Sequence, residues 1–319
     1  MRGKMLAAIA VLASLMLHSL SYAQYPTKPV NIIVPFAAGT ASDLATRIVA
    51  NQLASSLGQP VIVQNRPGAN GAIGAAAVAS AAPDGYTLLL ATAGTAALPA
   101  VVKNLSFDVR RDFTPISAMT RFLVYLYVNA ELPIRTFPEL LDHARANPGK
   151  LNFATGNPVG LVATAQLLSM AGNPNMVQVP YKGEPAAVTD LVANRVQVMF
   201  ATPSSAESFA KAGKLRALAT NLPQRSPFAP DVPSMNEFFP RFSVTAWAGL
   251  MGPKGLPREI VDRLSREVAS ALAGSEMKEK FNQLQYVAFS STPEELNAFF
   301  NQQIDLYSTL LRAAGVQPE

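Results

Sequence analysis

From Val30 onward the chain alternates short apolar, β-branched runs with stretches of helical periodicity, and this alternation confines it to the α/β architectures. Val30-Asn31-Ile32-Ile33-Val34 reads as a strand; Leu44, Ile48 and Leu57 then fall near helical spacing, with Gly58 placed as a C-terminal stop. Val61–Val63 predicts a second strand, Gly74–Ala81 a Gly/Ala-rich helix and Tyr86–Leu90 a third strand. Strands apolar along their whole length belong in sheets covered on both faces, so this run predicts a mostly parallel sheet flanked by helices.

The pattern restarts with a strand over Phe122–Val128 and a helix over Pro138–Ala146. A strand at Leu151–Ala154, a helix at Val162–Met170, a strand at Val177–Val179, a helix at Pro185–Asn194 and strands at Val196–Phe200 and Leu215–Ala219 complete a second α/β unit. Another strand over Ser243–Met251 precedes a segment read as helical to the end. There Ile260, Val261, Leu264, Val268 and Leu272 mark an apolar face, and Thr292 with Glu295 forms a capping box. Those last helices need a sheet to cover. The economical organisation is two lobes, residues 24–124 plus 248–319 and residues 125–247, joined by crossings near Arg121–Tyr127 and Ser243–Gly249.

The start of the chain points to export. Arg2 and Lys4 precede an apolar run from Met5 to Leu17, and Ser21 and Ala23 are small residues where a signal peptidase reads, so residues 1–23 are expected to be a signal peptide cleaved before Gln24 and the mature protein periplasmic. The run is short of the roughly 20 residues a membrane-spanning helix needs. Losing Arg2 and Lys4 lowers the formal charge from +5 to +3, and the remaining basic residues are scattered singly, which excludes a nucleic-acid footprint. There is no cysteine, so the fold relies on its cores. A chain of about 295 residues buries roughly three quarters of its unfolded surface, near the size where one core divides into two.

Catalytic machinery is scarce. His143 is the one histidine after the signal segment, on a predicted exposed helix face beside Asp142 and Arg145, and there is no nucleophile elbow or P-loop. No cofactor and no metal are expected. Gly68, Gly71 and Gly74 follow a strand but read GxxGxxG, and Thr92 and Gly94 stand where a dinucleotide site needs an acid, so close helix-to-sheet packing explains them. The loop Pro35–Asp43 is more informative: it leaves the first strand and enters the first helix, where open α/β sheets place ligands and a helix start favours an anion. Ser42 or Asp43 can equally serve there as an N-cap. Phe153–Gly160 repeats the arrangement in the second unit, and two such loops facing one another make a clamp.

Several motifs resemble one family in order and spacing: Pro35-Phe36 with Gly39 and Asp43, Gln64–Ala69, Ala82–Thr87, Asp112–Pro115, Val179–Gly183, Ala212–Ala219 and Pro230–Pro233. Along the whole mature chain the sequence is similar to the periplasmic solute receptors of tripartite tricarboxylate transporters, the Bug receptors. The resemblance implies a two-lobed periplasmic-binding-protein (Venus-flytrap) fold, a small carboxylate ligand, membrane transporter subunits as partners and a monomer. It assigns the first ligand-holding loop to Phe36, Ala37, Ala38, Gly39 and Asp43, and the second to Thr155, Gly156 and Asn157, with Thr92 and Ala93 bordering the cleft.

Departures from the family pattern bear on the ligand. Pro158, Val159 and Val162 stand where polar residues are common, Thr40 where glycine is common, and Phe200-Ala201 followed by Thr202 where a strand often ends Phe-Asp. If Val159 and Val162 line the cleft, they offer apolar surface and no hydrogen bonds; the other arrangement has both packing within the second lobe. Ala201 cannot balance an ammonium, so an acid with an apolar body is expected over an amino acid. A receptor serving a sensor, or an enzyme on the same architecture, are the alternative functions.

Overall fold

The computed structural model describes residues 25–156, 158–181, 183–313 and 316–318, so the expected signal peptide and Asn157 lie outside the described residues. In chain order the elements begin β1 (Val30–Val34), α1 (Ala41–Leu57), β2 (Val61–Asn65), a 3-10 turn (Ala69–Gly71), α2 (Ala72–Ala79), β3 (Thr87–Thr92), α3 (Ala93–Val101) and β4 (Phe113–Phe122). The second unit holds β5 (Tyr125–Asn129), α4 (Phe137–Ala146), β6 (Asn152–Thr155), α5 (Pro158–Met170), β7 (Val177–Pro180), α6 (Glu184–Val192), β8 (Val198–Ala201), α7 (Pro203–Lys211), β9 (Leu215–Thr220) and α8 (Met235–Phe238). The chain closes with β10 (Ala246–Pro253), α9 (Arg258–Ala273), α10 (Ser275–Gln283), β11 (Tyr286–Ala288) and α11 (Pro293–Ala313).

Two sheets result, β11-β4-β10-β3-β1-β2 and β7-β6-β8-β5-β9, each covered by helices. The two-lobed α/β architecture expected from the sequence is present, with sheets that are mixed. β1 pairs in parallel with β2 and β3, and β6 with β7 and β8, as βαβ connections require. Every antiparallel pairing involves β4, β5 or β10, the strands flanking the passages between sheets.

At those passages the backbone leaves the ladders, and its polar groups need other partners. Val124 N donates to Asn221 Oδ1 at 3.0 Å, and Val124 O accepts from Asn221 N at 3.1 Å. On the return, Ser243 N and Val244 N donate to Gln166 Oε1 at 3.1 and 3.2 Å, while Gln166 Nε2 donates to Arg241 O at 3.3 Å. The next carbonyl, that of Thr245, accepts from Tyr307 Oη of α11 at 3.1 Å. Asn221, Gln166 and Tyr307 are all buried.

One hydrophobic core fills the first lobe and continues along one face of the second sheet through Val124, Phe153, Val162 and Phe200; a smaller core lies on that sheet's other face, under α6 and α7. α1 forms where expected and ends at Gly58 in the left-handed region, φ 68°. Its buried face is Ala45, Val49, Leu53 and Leu57; of the residues read at helical spacing Leu57 is buried, Ile48 half-buried and Leu44 exposed. The Phe122–Val128 strand is in fact the end of β4 and the start of β5. β4 itself, β11, α3 and α7 are additions to the elements read from the sequence. A Cβ on Gly74 would sit 2.9 Å from Arg66 O and 3.0 Å from Pro35 Cβ, which bears out the packing reason for that glycine.

The Thr292–Glu295 box is present in both directions: Thr292 N donates to Glu295 Oε2 at 2.9 Å and Glu295 N to Thr292 Oγ1 at 3.1 Å. Thr292→Ala should therefore lower stability by about 0.5–2 kcal/mol. A urea midpoint equal to that of the unaltered protein would show that α11 does not depend on its cap.

Candidate functional site

The ends of the parallel strands gather the helix starts. α1 and α3 open at the C-terminal ends of β1 and β3, α2 follows β2, and α5, α6 and α7 open after β6, β7 and β8. In the first lobe Ala37, Ala38 and Gly39 are exposed and Phe36 is half-buried, so the loop is open to a guest apart from Gly39 N, which is taken within the protein. What shapes this loop is a buried carboxylate. Asp43 Oδ2 accepts from Gly39 N at 2.9 Å and from Arg47 Nε at 3.1 Å, and Oδ1 accepts from Asn65 Nδ2 at 2.8 Å. Asn65 also donates to Phe36 O at 3.1 Å and accepts from Arg47 Nη2 at 2.9 Å. Burial pushes the Asp43 carboxyl up, but the bonds from Arg47, Gly39 and Asn65 outweigh it and hold its pKa below the ordinary aspartate value. The cap of α1 is neither Ser42 nor Asp43: Thr40 Oγ1 accepts from Asp43 N at 3.4 Å and donates to Ala37 O at 3.0 Å. Thr92 caps α3 through its own reciprocal box with Thr95, and the Phe36 ring lies over that helix start, 3.4 Å from where a Cβ on Gly94 would be.

In the second lobe Thr155 ends β6, its Oγ1 accepting from Gln178 Nε2 at 3.2 Å and its carbonyl from Tyr181 N at 2.8 Å. A Cβ on Gly156 would lie 2.9 Å from both Cα and N of Glu184, so only glycine lets this loop rest against the start of α6. Glu184 in turn reaches the start of α7. Its Oε2 accepts from Thr202 N at 3.2 Å, Thr202 Oγ1 at 2.7 Å and Ser205 Oγ at 2.5 Å. Burial pushes the Tyr286 hydroxyl up to about 12, and the charge of Glu184 adds to the rise. Tyr286 pairs with Phe122 in the first sheet.

The sequence model described as tripartite tricarboxylate transporter family receptor matches residues 45–316. The chain belongs to this receptor family. The solved structure of the periplasmic binding protein BugD is 32% identical, covers 92% of this chain and 100% of BugD, and superposes with a TM-score of 0.78. An R. palustris protein solved with adipate is 28% identical over 93% of this chain and 100% of its own, TM-score 0.82. MatC from Rhodopseudomonas palustris with bound malate is 29% identical over 90% and 100%, TM-score 0.77. The receptor is thus similar to binding proteins along nearly its whole length.

Within the receptor, the residues expected at the ligand fall into two groups. Phe36, Ala37, Ala38, Gly39, Gly156, Val159 and Thr202 retain accessible surface at the strand ends. Asp43, Thr92, Ala93, Thr155, Val162 and Ala201 are buried: Asp43 and Thr92 brace helix starts, and Val162 and Ala201, both 0% exposed, are spent in the two cores. Val162 therefore follows the arrangement in which it packs the second lobe. Arg47 and Glu184 were not anticipated. The Arg47 position is legible as the i+4 partner of Asp43, whereas Glu184 acts on residues 18 positions later and leaves no local pattern. Among the described residues no group of three or more His, Asp or Glu side chains is placed to hold a metal ion.

Proposed function

We propose that this receptor is exported to the periplasm, captures one small organic carboxylate with an apolar body between its lobes, and hands it unchanged to the membrane subunits of a tripartite tricarboxylate-type transporter. It does so as a monomer and without a cofactor, the lobes dividing near residues 124 and 248. The observation that carries this reading is the exposed backbone of Ala37 and Ala38 before the start of α1, on a loop held by the buried Asp43 carboxylate together with half-buried Asn65 and exposed Arg47. Unpaired N–H groups at a helix start stabilise a carboxylate by about 0.3–1 kcal/mol, and up to about 2 when partly buried. Gly156 supplies the opposing backbone, with Val159 alongside. Adipate and malate in the two R. palustris structures support the carboxylate class. Leu44 and Ile73, 37% and 56% exposed in the first turns of α1 and α2, support the apolar body: they are large hydrophobic residues left bare beside the loop.

Calorimetry on the mature chain tests this. Acids with an apolar body should bind about tenfold to a few hundredfold tighter than citrate, glutamate or aspartate, the cost of one or two ligand polar groups left unpaired. Tight citrate or glutamate binding with no response to apolar acids would refute the selectivity.

A further inference from the structure

We propose that α5 is a lever carrying the occupancy of the cleft to the return passage between the lobes, and that Gln166 is the positioning residue by which it grips that passage. The inference rests on the carboxylate-receptor reading above and extends it from what is bound to what binding moves. α5 begins directly behind the second ligand loop, with Gly156 ahead of it and half-buried Val159 in its first turn. Gln166 follows Val159 by two turns of helix, about 10 Å along the axis, which places the two on one face. The Gln166 amide reaches out of the helix to the chain re-entering the first lobe. Its Oε1 accepts from Ser243 N and Val244 N at 3.1 and 3.2 Å, and its Nε2 donates to Arg241 O and Ser243 Oγ at 3.3 and 3.2 Å.

The packing of α5 suits it to transmit a displacement. Every residue from Val159 to Leu168 is buried or half-buried, because β6 and β8 of the second lobe and α3 and α11 of the first enclose the helix between them. A helix enclosed in this way cannot bend or fray at its start without opening packed surface, so a ligand drawing on that start moves it as a body. At the far end of the lever, Ser243 and Val244 precede β10, and the grip of Gln166 takes the place of a ladder for their N–H groups. Trp247 lies just beyond, buried in β10, edge-on to Phe299 and Phe300 of α11 with ring centres 5.2 and 5.9 Å away. It is the one tryptophan of the chain, so tryptophan emission reports this point alone.

Fluorescence titration beside calorimetry on the full mature chain tests the inference, with hexanoate, benzoate and adipate as probes. The acid that binds tightest should change the Trp247 emission with a midpoint at the calorimetric Kd. Gln166→Leu should still bind that acid, within about tenfold of the unaltered affinity, and should lose the emission change. Gln166→Glu keeps an acceptor for both N–H groups and should keep the change. A merely stabilising role for Gln166 would lower the melting point of the Leu variant but leave emission tied to binding. If that variant does not fold, amide exchange in the unaltered receptor decides: Ser243 and Val244 should exchange more slowly with the acid bound. Emission unchanged at saturation, the same change in Gln166→Leu, or exchange at Ser243 and Val244 indifferent to the acid would overturn the lever. If none of the acids binds, the receptor reading itself falls, and this inference with it.

Discussion

Asp43→Ala is expected to weaken carboxylate binding about a hundredfold and to cost the fold about 2–4 kcal/mol. The carboxylate is buried and ties three otherwise separate pieces together: Gly39 in the loop, Arg47 one turn along α1, and Asn65 at the end of β2, which itself holds Phe36 O. Removing it takes one of the two acceptors of Asn65 Nδ2 and releases the loop, so the N–H groups of Ala37 and Ala38 lose the preorganisation on which affinity depends. The acid dependence has a definite sign. Because the folded-state pKa of Asp43 is lowered, the stabilisation is complete above the unfolded aspartate value of about 3.9 and is lost as pH falls through the folded value. Asp43→Asn should therefore be less stable than the unaltered protein at pH 7, and the gap should narrow in acid, below the unfolded aspartate value of about 3.9. Chemical denaturation at both pH values reads this directly; a gap of equal size at both would assign the effect to shape and not to charge.

Gln166→Leu should destabilise the protein by a comparable amount, about 2–4 kcal/mol, without touching the ligand loops. The substitution preserves bulk and removes the acceptor of two backbone N–H groups, of which Val244 N is buried and has no water to turn to. A stranded buried donor costs about 1–3 kcal/mol, and the lost bonds to Arg241 O and Ser243 Oγ add to it. The urea midpoint should fall with an unchanged slope. A loss below about 0.5 kcal/mol would mean that the return passage finds other partners.

The strand-loop-helix segments were legible because their signals are local: an apolar strand, small loop residues, and an acid near the start of a helix. What the chain hides is non-local. Of the large residues spaced along α1, Leu57 is buried but Leu44 is exposed, while the small Ala45 and Thr46 lie inside. β4 escaped notice because Pro115, Ser117 and Thr120 break its apolar pattern. Two of these hydroxyls are partnered far along the chain, Ser117 by Ser291 O at 2.9 Å and Thr120 by Val287 O at 3.1 Å. β11 has only three residues, and its strand character comes from pairing with β4. The roles of Asn65 and Glu184 likewise depend on partners 22 and 18 residues distant.

The grips on the two passages fix more than local geometry. Gln166 holds Val244 from the second lobe and Tyr307 holds Thr245 from the first, so a rotation that keeps both bonds has to be taken up at the single link between those residues. On the outgoing side Asn221 holds Val124 to the second lobe, and Phe122 is the last residue still laddered to β10, opposite Ala246. The two bending points thus flank one rung, Phe122 with Ala246, like two pins on a common axle. Turning the lobes about this rung leaves the grips of Asn221, Gln166 and Tyr307 intact, but α5 of the second lobe also packs against α3 and α11 of the first, so such a turn has to slide these helices past one another. Those helix contacts, together with the two passages, shape any motion of one lobe on the other.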